Sequence, residues 1–448
     1  MEETQIVDQL KYLIRAKFRI KTVTPANCKF IAREISLLTK RTISETTIKR
    51  LFGFVGVTHN FSKYTLSVLA EFNAEIQEQL NTDCWKKVIM KTGGIADRTL
   101  LNIKSDSGIP YEHTISRKFA EQHFDSFLNS GRNFTCFISR PGGGKTILLS
   151  QLAKRFLSSP SERDNALLFL TVYDFLYGDF NTLSIADCIK NKLDINQALD
   201  LIEYIDHNCE NSKLVIFIDG FNKLKIKSNI KMQLFERLHQ FIEEIAGSRI
   251  QLVMGMRSAD WTRFTQRTSY LALFKRKWFP GEYFDPENNS NVPTLAADEI
   301  GQILTNMNGF QTTVGAELKA CLEVPLYLGA YYELRRNLRN PYGEEITPNQ
   351  IIEHFVKFKV ENSNYLTEKM YLIDKIIKLI NYEKGKYGID KYLLSPVILA
   401  FGNAYKELLS DGILVEKHNI HSKLENSISV YFARPYLYDY FLCSRFNS

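Results

Sequence analysis

Ser139-Arg140-Pro141-Gly142-Gly143-Gly144-Lys145-Thr146 is the stretch of this 448-residue chain whose residue types and spacing carry the clearest chemistry. Phe134 to Ile138 before it reads as a buried strand, and Ile147 to Phe156 after it carries apolar residues at helical spacing. Three consecutive glycines let the backbone curl so that several N–H groups point at one anion, and the positive end of the following helix adds to the field. Lys145 can then reach the β- and γ-phosphates of a nucleotide, the Thr146 hydroxyl can ligate Mg²⁺, and Ile147 completes the contacting set. The one departure from the P-loop pattern is Ser139, which stands where the first glycine is expected.

The elements that must position this loop are strands alternating with helices. Ala166 to Val172, Leu214 to Asp219 and Ile250 to Arg257 are strongly apolar runs. Helical segments from Ile185 to His207 and from Ile230 to Ile245 separate them, which predicts a parallel α/β sheet. Ligands in such sheets bind at the carboxyl ends of strands, where Ser139, Asp219 and Arg257 all fall. Asp219 can hold Mg²⁺ opposite Thr146, and Lys145 and Asp219 are the expected catalytic groups.

The rest of the chain narrows the class. No run is long and apolar enough to span a membrane, and Met1 to Leu10 is polar, so a cytoplasmic protein is expected. Seven scattered cysteines without a Cys-x-x-Cys pair indicate reduced thiols, not a disulfide or zinc framework. From Met1 to Tyr64 there are 12 Lys/Arg against 5 Asp/Glu, a surplus equal to the whole net charge of +7. The basic N-terminal region reads as all-helical. Pro25 and Ala26 open one helix, Ser44 caps a short one (Glu45 to Phe52) and Ser62 caps a third. The short connection and the basic second helix fit a helix-turn-helix, with Lys40, Arg41, Lys49 and Arg50 as possible DNA contacts. A protein partner docking through residues 1–85 accounts for the same pattern.

The expected organisation is a helical module over 1–88, a Gly/Ser/Pro-rich linker over 89–115 and a P-loop core over 116–290. A helical subdomain over 291–346 and a winged-helix-like domain over 347–448 follow. Asp411 to Val415 and Ser427 to Phe432 are expected to pair as the wing, before a closing aromatic helix from Pro435 to Phe446.

Phe217-Ile218-Asp219-Gly220-Phe221-Asn222-Lys223 resembles the Walker B segment of NACHT-type STAND P-loop ATPases, an apolar strand followed by Asp-Gly-x-Asp-Glu. Met256-Arg257-Ser258 is similar to that family's sensor arginine, which adds Arg257 to the expected catalytic groups. Glu323-Val324-Pro325-Leu326 resembles its Pro-Leu motif, whose proline packs on the nucleotide. Tyr431-Phe432-Ala433-Arg434 followed by Asp439-Tyr440-Phe441 resembles its winged-helix signature. The resemblance covers roughly Ser116 to Phe446. It implies an α/β P-loop NTPase core of AAA+/STAND type, flanked by an N-terminal all-helical domain and C-terminal helical and winged-helix domains. It further implies ATP/ADP and Mg²⁺ as cofactors, Pro325 and Arg434 as nucleotide contacts, and a closed monomer that becomes a homo-oligomer on activation. A role in bacterial antiphage defence, with a phage-derived trigger, belongs to the same implication. Cys28 to Phe54 is similar to helix-turn-helix-like modules of Bacteroidetes proteins, and a DNA-binding regulator controlled by ATP-dependent assembly is the alternative.

Two departures modify the expectation. Asn222 and Lys223 stand where the family has acids, one of which orients the attacking water, so weak or slow hydrolysis is expected. Arg434 replaces a histidine that touches the β-phosphate, and an arginine can clamp a phosphate more firmly.

Overall fold

The computed structural model describes residues 10–11, 14–15, 17–18, 20, 22–56, 61–81, 84–176, 182–209, 212–221, 228–266, 276–310, 314–337, 346–380, 387–418 and 428–446. Asn222 and Lys223 lie outside these described residues.

The N-terminal module contains α1 (Asn27–Thr39), α2 (Glu45–Leu51) and α3 (Lys63–Asn81). The expected caps are in place: Ser44 Oγ accepts from Thr47 N and Ser62 Oγ from Thr65 N, both at 3.1 Å. Each satisfies one otherwise orphaned helical N–H, a contribution of about 1 kcal/mol. Cys28, Ile31, Ile35, Ile48, Leu51, Val68 and Phe72 share one small core.

The segment read as a linker over 89–115 is different. Its first part belongs to a 22-residue helix, α4 (Cys84–Ser105). Val88, Thr92, Ala96, Thr99 and Ile103 repeat at intervals of three and four and are buried. Thr99 Oγ1 also donates to the carbonyl of Phe169 at 2.8 Å. Gly93 and Gly94 sit in this helix with open space around them, and burial of the opposite face outweighs their low propensity.

The core follows as α5 (Lys118–Asn129), β1 (Phe134–Ser139), α6 (Lys145–Ser158), β2 (Ala166–Thr171), α7 (Ile185–Leu193) and α8 (Leu201–Asn208). It continues with β3 (Leu214–Asp219), α9 (Ser228–Glu244), β4 (Ile250–Arg257), α10 (Ser258–Gln266) and the short β5 (Trp278–Phe279). The sheet order is β2-β3-β4-β1-β5 and every pairing is parallel. Strand residues alternate between two buried faces. Phe137, Phe169, Val215, Phe217 and Val253 meet Phe124, Phe127 and Leu152 of α5 and α6. Cys136, Leu168, Ile216, Ile218 and Met254 meet Ile189, Leu238, Trp261 and Phe264 on the other side. Covering both faces is why these strands read as continuous apolar runs instead of alternating ones.

Beyond the sheet lie α11 (Ala297–Asn308), α12 (Ala316–Leu322), α13 (Pro325–Asn337), α14 (Pro348–Val356) and α15 (Leu366–Leu379). The last third adds β6 (Ile389–Asp390), α16 (Ser395–Ala400), α17 (Gly402–Ser410), β7 (Leu414–His418), β8 (Ile428–Phe432) and α18 (Pro435–Phe446). A wing forms with its first strand shifted from the expected Asp411–Val415: β7 pairs antiparallel with β8, Leu414 opposite Phe432, and β6 joins the other edge of β8. One continuous core runs through the helical subdomain and the winged-helix domain. Tyr327 of α13 has its ring 5.2 Å from Phe355 and 5.7 Å from Tyr436, so these two regions pack as one unit.

Two histidines pack into the α/β core, His123 buried and His239 half-buried. His123 lies between Phe137 and Phe279, with Nε2 2.7 Å from Thr135 Oγ1, and His239 lies against Phe264. Burial pushes each imidazole down to about 4. The unfolded chain, with an ordinary value of about 6.5, takes up protons first as pH falls. The stability these neutral rings allow is therefore complete above pH 6.5 and is lost as pH falls from 6.5 toward 4, by up to about 3 kcal/mol for buried His123 and less for the partly exposed His239. Urea midpoints measured from pH 7 to 4.5 are expected to drop across this window, and the drop should be shallower in His239→Phe.

Candidate phosphate-binding site

The loop between β1 and α6 turns through left-handed backbone at Gly142 (φ 79°) and Gly144 (φ 77°), conformations that glycine adopts without steric cost. Lys145 opens α6, and its side chain folds back beneath the loop. Its Nζ donates to Ser139 Oγ at 2.7 Å, to the Ser139 carbonyl at 3.2 Å and to the Arg140 carbonyl at 3.3 Å. Burial, reinforced by the charge of Arg257 and opposed by Asp219, pushes this ammonium down to about 8. The loop therefore holds its cation in a dry setting where an anion is strongly favoured.

Asp219 sits at the carboxyl end of β3, and its Oδ2 accepts from Thr146 Oγ1 at 2.6 Å. The close approach depends on Gly255 of β4. A Cβ there would lie 3.0 Å from Asp219 Oδ1 and 2.9 Å from Leu149 Cδ1. A hydroxyl and a carboxylate side by side are hard oxygen donors, and they fit a Mg²⁺ ion held by one or two protein oxygens plus phosphates and water.

Arg257 ends β4 directly opposite Ser139 in the sheet register. Burial lowers its guanidinium from the ordinary arginine range, with Asp260 and Asp411 opposing. Its Nη2 donates 3.0 Å to the carbonyl of Ser410, the last residue of α17. The expected sensor arginine thus stands between the P-loop lysine and the winged-helix domain.

Both C-terminal regions reach the loop. Leu326 N donates to the Gly142 carbonyl at 3.1 Å, and a Cβ on Gly142 would lie 2.6 Å from Leu326 Cβ. A Cβ on Gly144 would lie 3.2 Å from Pro325 Cγ, so the expected proline covers the loop itself. From the winged-helix domain, Gly412 comes close to the loop and to Leu326, since a Cβ there would lie 3.4 Å from Pro141 Cβ and 3.5 Å from Leu326 Cδ2. A buried carboxylate fastens this arrangement. Glu416 of β7 accepts from Tyr405 Oη (2.9 Å) and pairs with Lys391 (2.8 Å) and with Arg263 of α10 (3.3 Å). Burial would raise the Glu416 carboxyl, but Lys391, Tyr405 and Arg263 together outweigh it and hold the group below the usual range.

Arg140 is turned toward the same junction. Its guanidinium is lowered by burial and then by the nearby charge of Arg434, and its Nη2 donates to Asn288 Oδ1 at 3.0 Å. Lys417 of β7 is lowered by burial and then by Arg140. Arg434, half-buried just before α18, also lies within electrostatic reach of Tyr327 and Tyr436. Positive charges from two domains therefore meet beside the loop.

A cavity of ≈ 270 Å³ opens from Gly142–Gly144. Its walls are mostly apolar, with Ile109, Ile115, Ile147, Leu295 and Leu328 prominent. Ser107 to Ile115, read from the sequence as linker, forms one wall. Gly108 is pressed against α13, where a Cβ on Gly329 would lie 3.3 Å from the Gly108 carbonyl. Arg117 fixes the neighbouring corner by pairing with Glu299 at 2.9 Å and donating to the carbonyls of Pro293 and Thr294. The pairing of Gly108 with Gly329 is the signal that sequence reading could have used, but nothing local marks two distant glycines as neighbours.

Ser139 to Ile147, Asp219, Arg257 and Pro325 therefore lie together in the structure, and Arg434 stands at their edge. Leu326, Gly412, Glu416 and the 107–115 strap were not anticipated as part of the site. The four N-terminal cations lie in the helical module. Arg41 pairs with Glu71 (3.2 Å) and lies over the Tyr64 ring, Lys49 pairs with Glu45 (2.6 Å), and Lys40 is exposed at the end of α1. Arg50 has a buried Nε without a hydrogen bond.

The parallel sheet, the glycine loop and its lysine define a protein of the P-loop NTPase fold class with helical and winged-helix flanks. No family model and no curated protein matches the chain. Among solved structures, it is similar to the Aeropyrum pernix ORC2 protein in ADPNP–ADP complexes, at 13% identity and a TM-score of 0.37, covering 73% of this chain and 93% of that one. It is also similar to a Walker-type ATPase of Pyrococcus abyssi, at 11% identity and a TM-score of 0.41, covering 73% and 95%. The Aeropyrum pernix ORC1 protein in complex with DNA matches at 12% identity and a TM-score of 0.38, covering 77% and 95%. No described helix is long and apolar enough to cross a membrane.

Removing the Glu416 carboxylate leaves Lys391, Arg263 and Tyr405 without their shared acceptor. Glu416→Ala is expected to cost about 2–4 kcal/mol, less than a fully buried pair because Lys391 and Arg263 keep access to water. A lowered thermal midpoint, with faster proteolytic release of the winged-helix region, is the outcome to measure. Glu416→Gln, which can still accept from Tyr405, should lose less.

Proposed function

We propose that this chain is a nucleotide-gated switch that binds ATP or ADP with Mg²⁺ in the β1–α6 loop. The convergence of two C-terminal regions on Pro141–Gly144 is the observation that carries the reading. Pro325 and Leu326 lie against the loop and Gly412 lies next to Pro141 and Leu326, so a ligand on this loop bears on how the winged-helix domain sits. Lys145, Arg140, Arg257 and Arg434 supply positive charge for phosphates, and Thr146 with Asp219 supplies oxygens for Mg²⁺. The apolar cavity beside Gly142–Gly144 suits the nucleoside part, as ligand pockets of this kind are mostly apolar with a few placed polar groups. When bound, Mg²⁺ would neutralise phosphate charge; the chain's own groups hold the nucleotide and couple it to the wing.

Asn222 and Lys223 extend the reading to a protein that holds its nucleotide longer than it hydrolyses it. The resemblance to NACHT-type proteins extends it further, to assembly on activation and a part in bacterial antiphage defence. A hydrolytic AAA+ motor is the poorer fit, because a motor needs acids where Asn222 and Lys223 stand. The DNA-binding alternative rests on Lys40, Arg41, Lys49 and Arg50. Arg41 and Lys49 already face Glu71 and Glu45, which weakens it.

Calorimetric titration of ADP and ATP is the direct test: wild type should bind and Lys145→Ala should lose binding by at least a hundredfold. Mass photometry on the same samples reads assembly. Loss of phage protection in Lys145→Ala cells would support the defence role. Affinity should also depend on pH through Lys145. Its ammonium is half-charged near pH 8, so affinity is expected to be level well below that point, to bend near it and to fall toward about tenfold per pH unit above it. A flat profile to pH 9.5 would refute the contribution of this charge.

A further inference from the structure

The three protons of an ammonium group can serve three acceptors, and in this protein all three of those on Lys145 are taken up by the loop itself. The Ser139 carbonyl and the Arg140 carbonyl are two of the acceptors, and any residue at position 139 would supply them. The third is the Ser139 hydroxyl, at 2.7 Å the shortest of the set. The hydroxyl proton is directed at the Arg140 carbonyl at 3.0 Å, which leaves an oxygen lone pair for the lysine. Ser139 is 3% exposed, so water does not compete for it. The arrangement also accounts for the middle glycine: a Cβ at Gly143 would overlap Ser139 Oγ. The residue that departs from the P-loop pattern is therefore the residue that completes the lysine's coordination.

From this geometry we propose that Ser139 is a positioning residue that holds Lys145 retracted inside the loop, so that an incoming phosphate must draw the ammonium away from the serine hydroxyl. The proposal rests on the reading of this loop as a nucleotide site. Ser139 stabilises the free protein and not the complex, because an ammonium extended to a phosphate leaves the hydroxyl behind. Nucleotide capture then proceeds through the fraction of molecules in which Lys145 is extended, and that fraction scales the apparent affinity. The consequence is a loop that resists loading more than one with glycine at this position.

The test is stopped-flow binding of a fluorescent ADP analogue, with Mg²⁺, to full-length wild type, Ser139→Ala and Ser139→Gly. Ser139→Ala keeps the Cβ and the loop's shape while deleting the hydroxyl. Losing one charge-assisted hydrogen bond in the free state should raise the association rate of both variants by roughly tenfold and leave dissociation unchanged. A purely structural role for Ser139 would instead appear as faster dissociation. Faster dissociation, weaker binding by Ser139→Ala, or no change in either rate would overturn the proposal, the first two pointing to a hydroxyl that supports the loop or touches the phosphate. If wild type fails to bind the analogue and unlabelled ADP, the nucleotide reading itself falls, and this proposal with it. Binding by wild type with unaltered variants rejects the proposal alone.

Discussion

The absence of side chains at Gly142 and Gly144 is the constraint on which the rest of the site depends. Both residues adopt positive φ, and both are covered by atoms that a Cβ would displace. Bare backbone lets the loop curl around an anion, which is the usual argument for glycine in such loops. Here it does a second thing: Leu326 and Pro325 rest directly on the loop, and Leu326 N is bonded to the Gly142 carbonyl. The helical subdomain is therefore in contact with the surface that meets phosphate. Gly412 brings the winged-helix domain close to the same place, where a Cβ on it would touch both Pro141 and Leu326.

Charge distribution follows the same plan. Two cations lie at the bottom of the site, Lys145 opposed by Asp219 and Arg257 by Asp260 and Asp411, and both are lowered by burial. At the rim, Arg140, Arg434 and Lys417 gather from the loop and from the winged-helix domain. An excess of buried positive charge is costly without a counter-ion, and a nucleotide's phosphates are of the right sign and size to supply it. Glu416 belongs to a different category. It serves Lys391, Arg263 and Tyr405 and holds the wing to α10 by contacts that involve no nucleotide.

The strands, the loop, the Asp219 and Arg257 positions and the wing were legible in the sequence because each is marked locally. An apolar run of six to eight residues bounded by Gly or Asp specifies a buried strand wherever it ends up. The α4 helix was missed for an equally local reason. Gly93, Gly94 and the serines that follow are turn formers in isolation, and only the face carrying Val88, Thr92, Ala96, Thr99 and Ile103 against β2 makes the helix worthwhile. The 107–115 strap has the composition of a linker and serves as a wall of the cavity, since composition records flexibility and not what lies opposite.

By itself the sequence determined the chemistry available: a phosphate-sized glycine cradle, a lysine, a hydroxyl and a carboxylate, each at the end of an element that must point the same way in a parallel sheet. The tertiary structure alone decided what those groups touch. That Lys145 is turned back onto Ser139, that Arg257 reaches the end of α17, and that residues nearly three hundred positions apart (Pro141 and Gly412) share a surface are consequences of packing. Backbone hydrogen bonding and hydrophobic periodicity act over a few residues and leave their marks in sequence. Contacts between domains are selected by shape and charge across long stretches of chain, so they became visible only once the cores had formed.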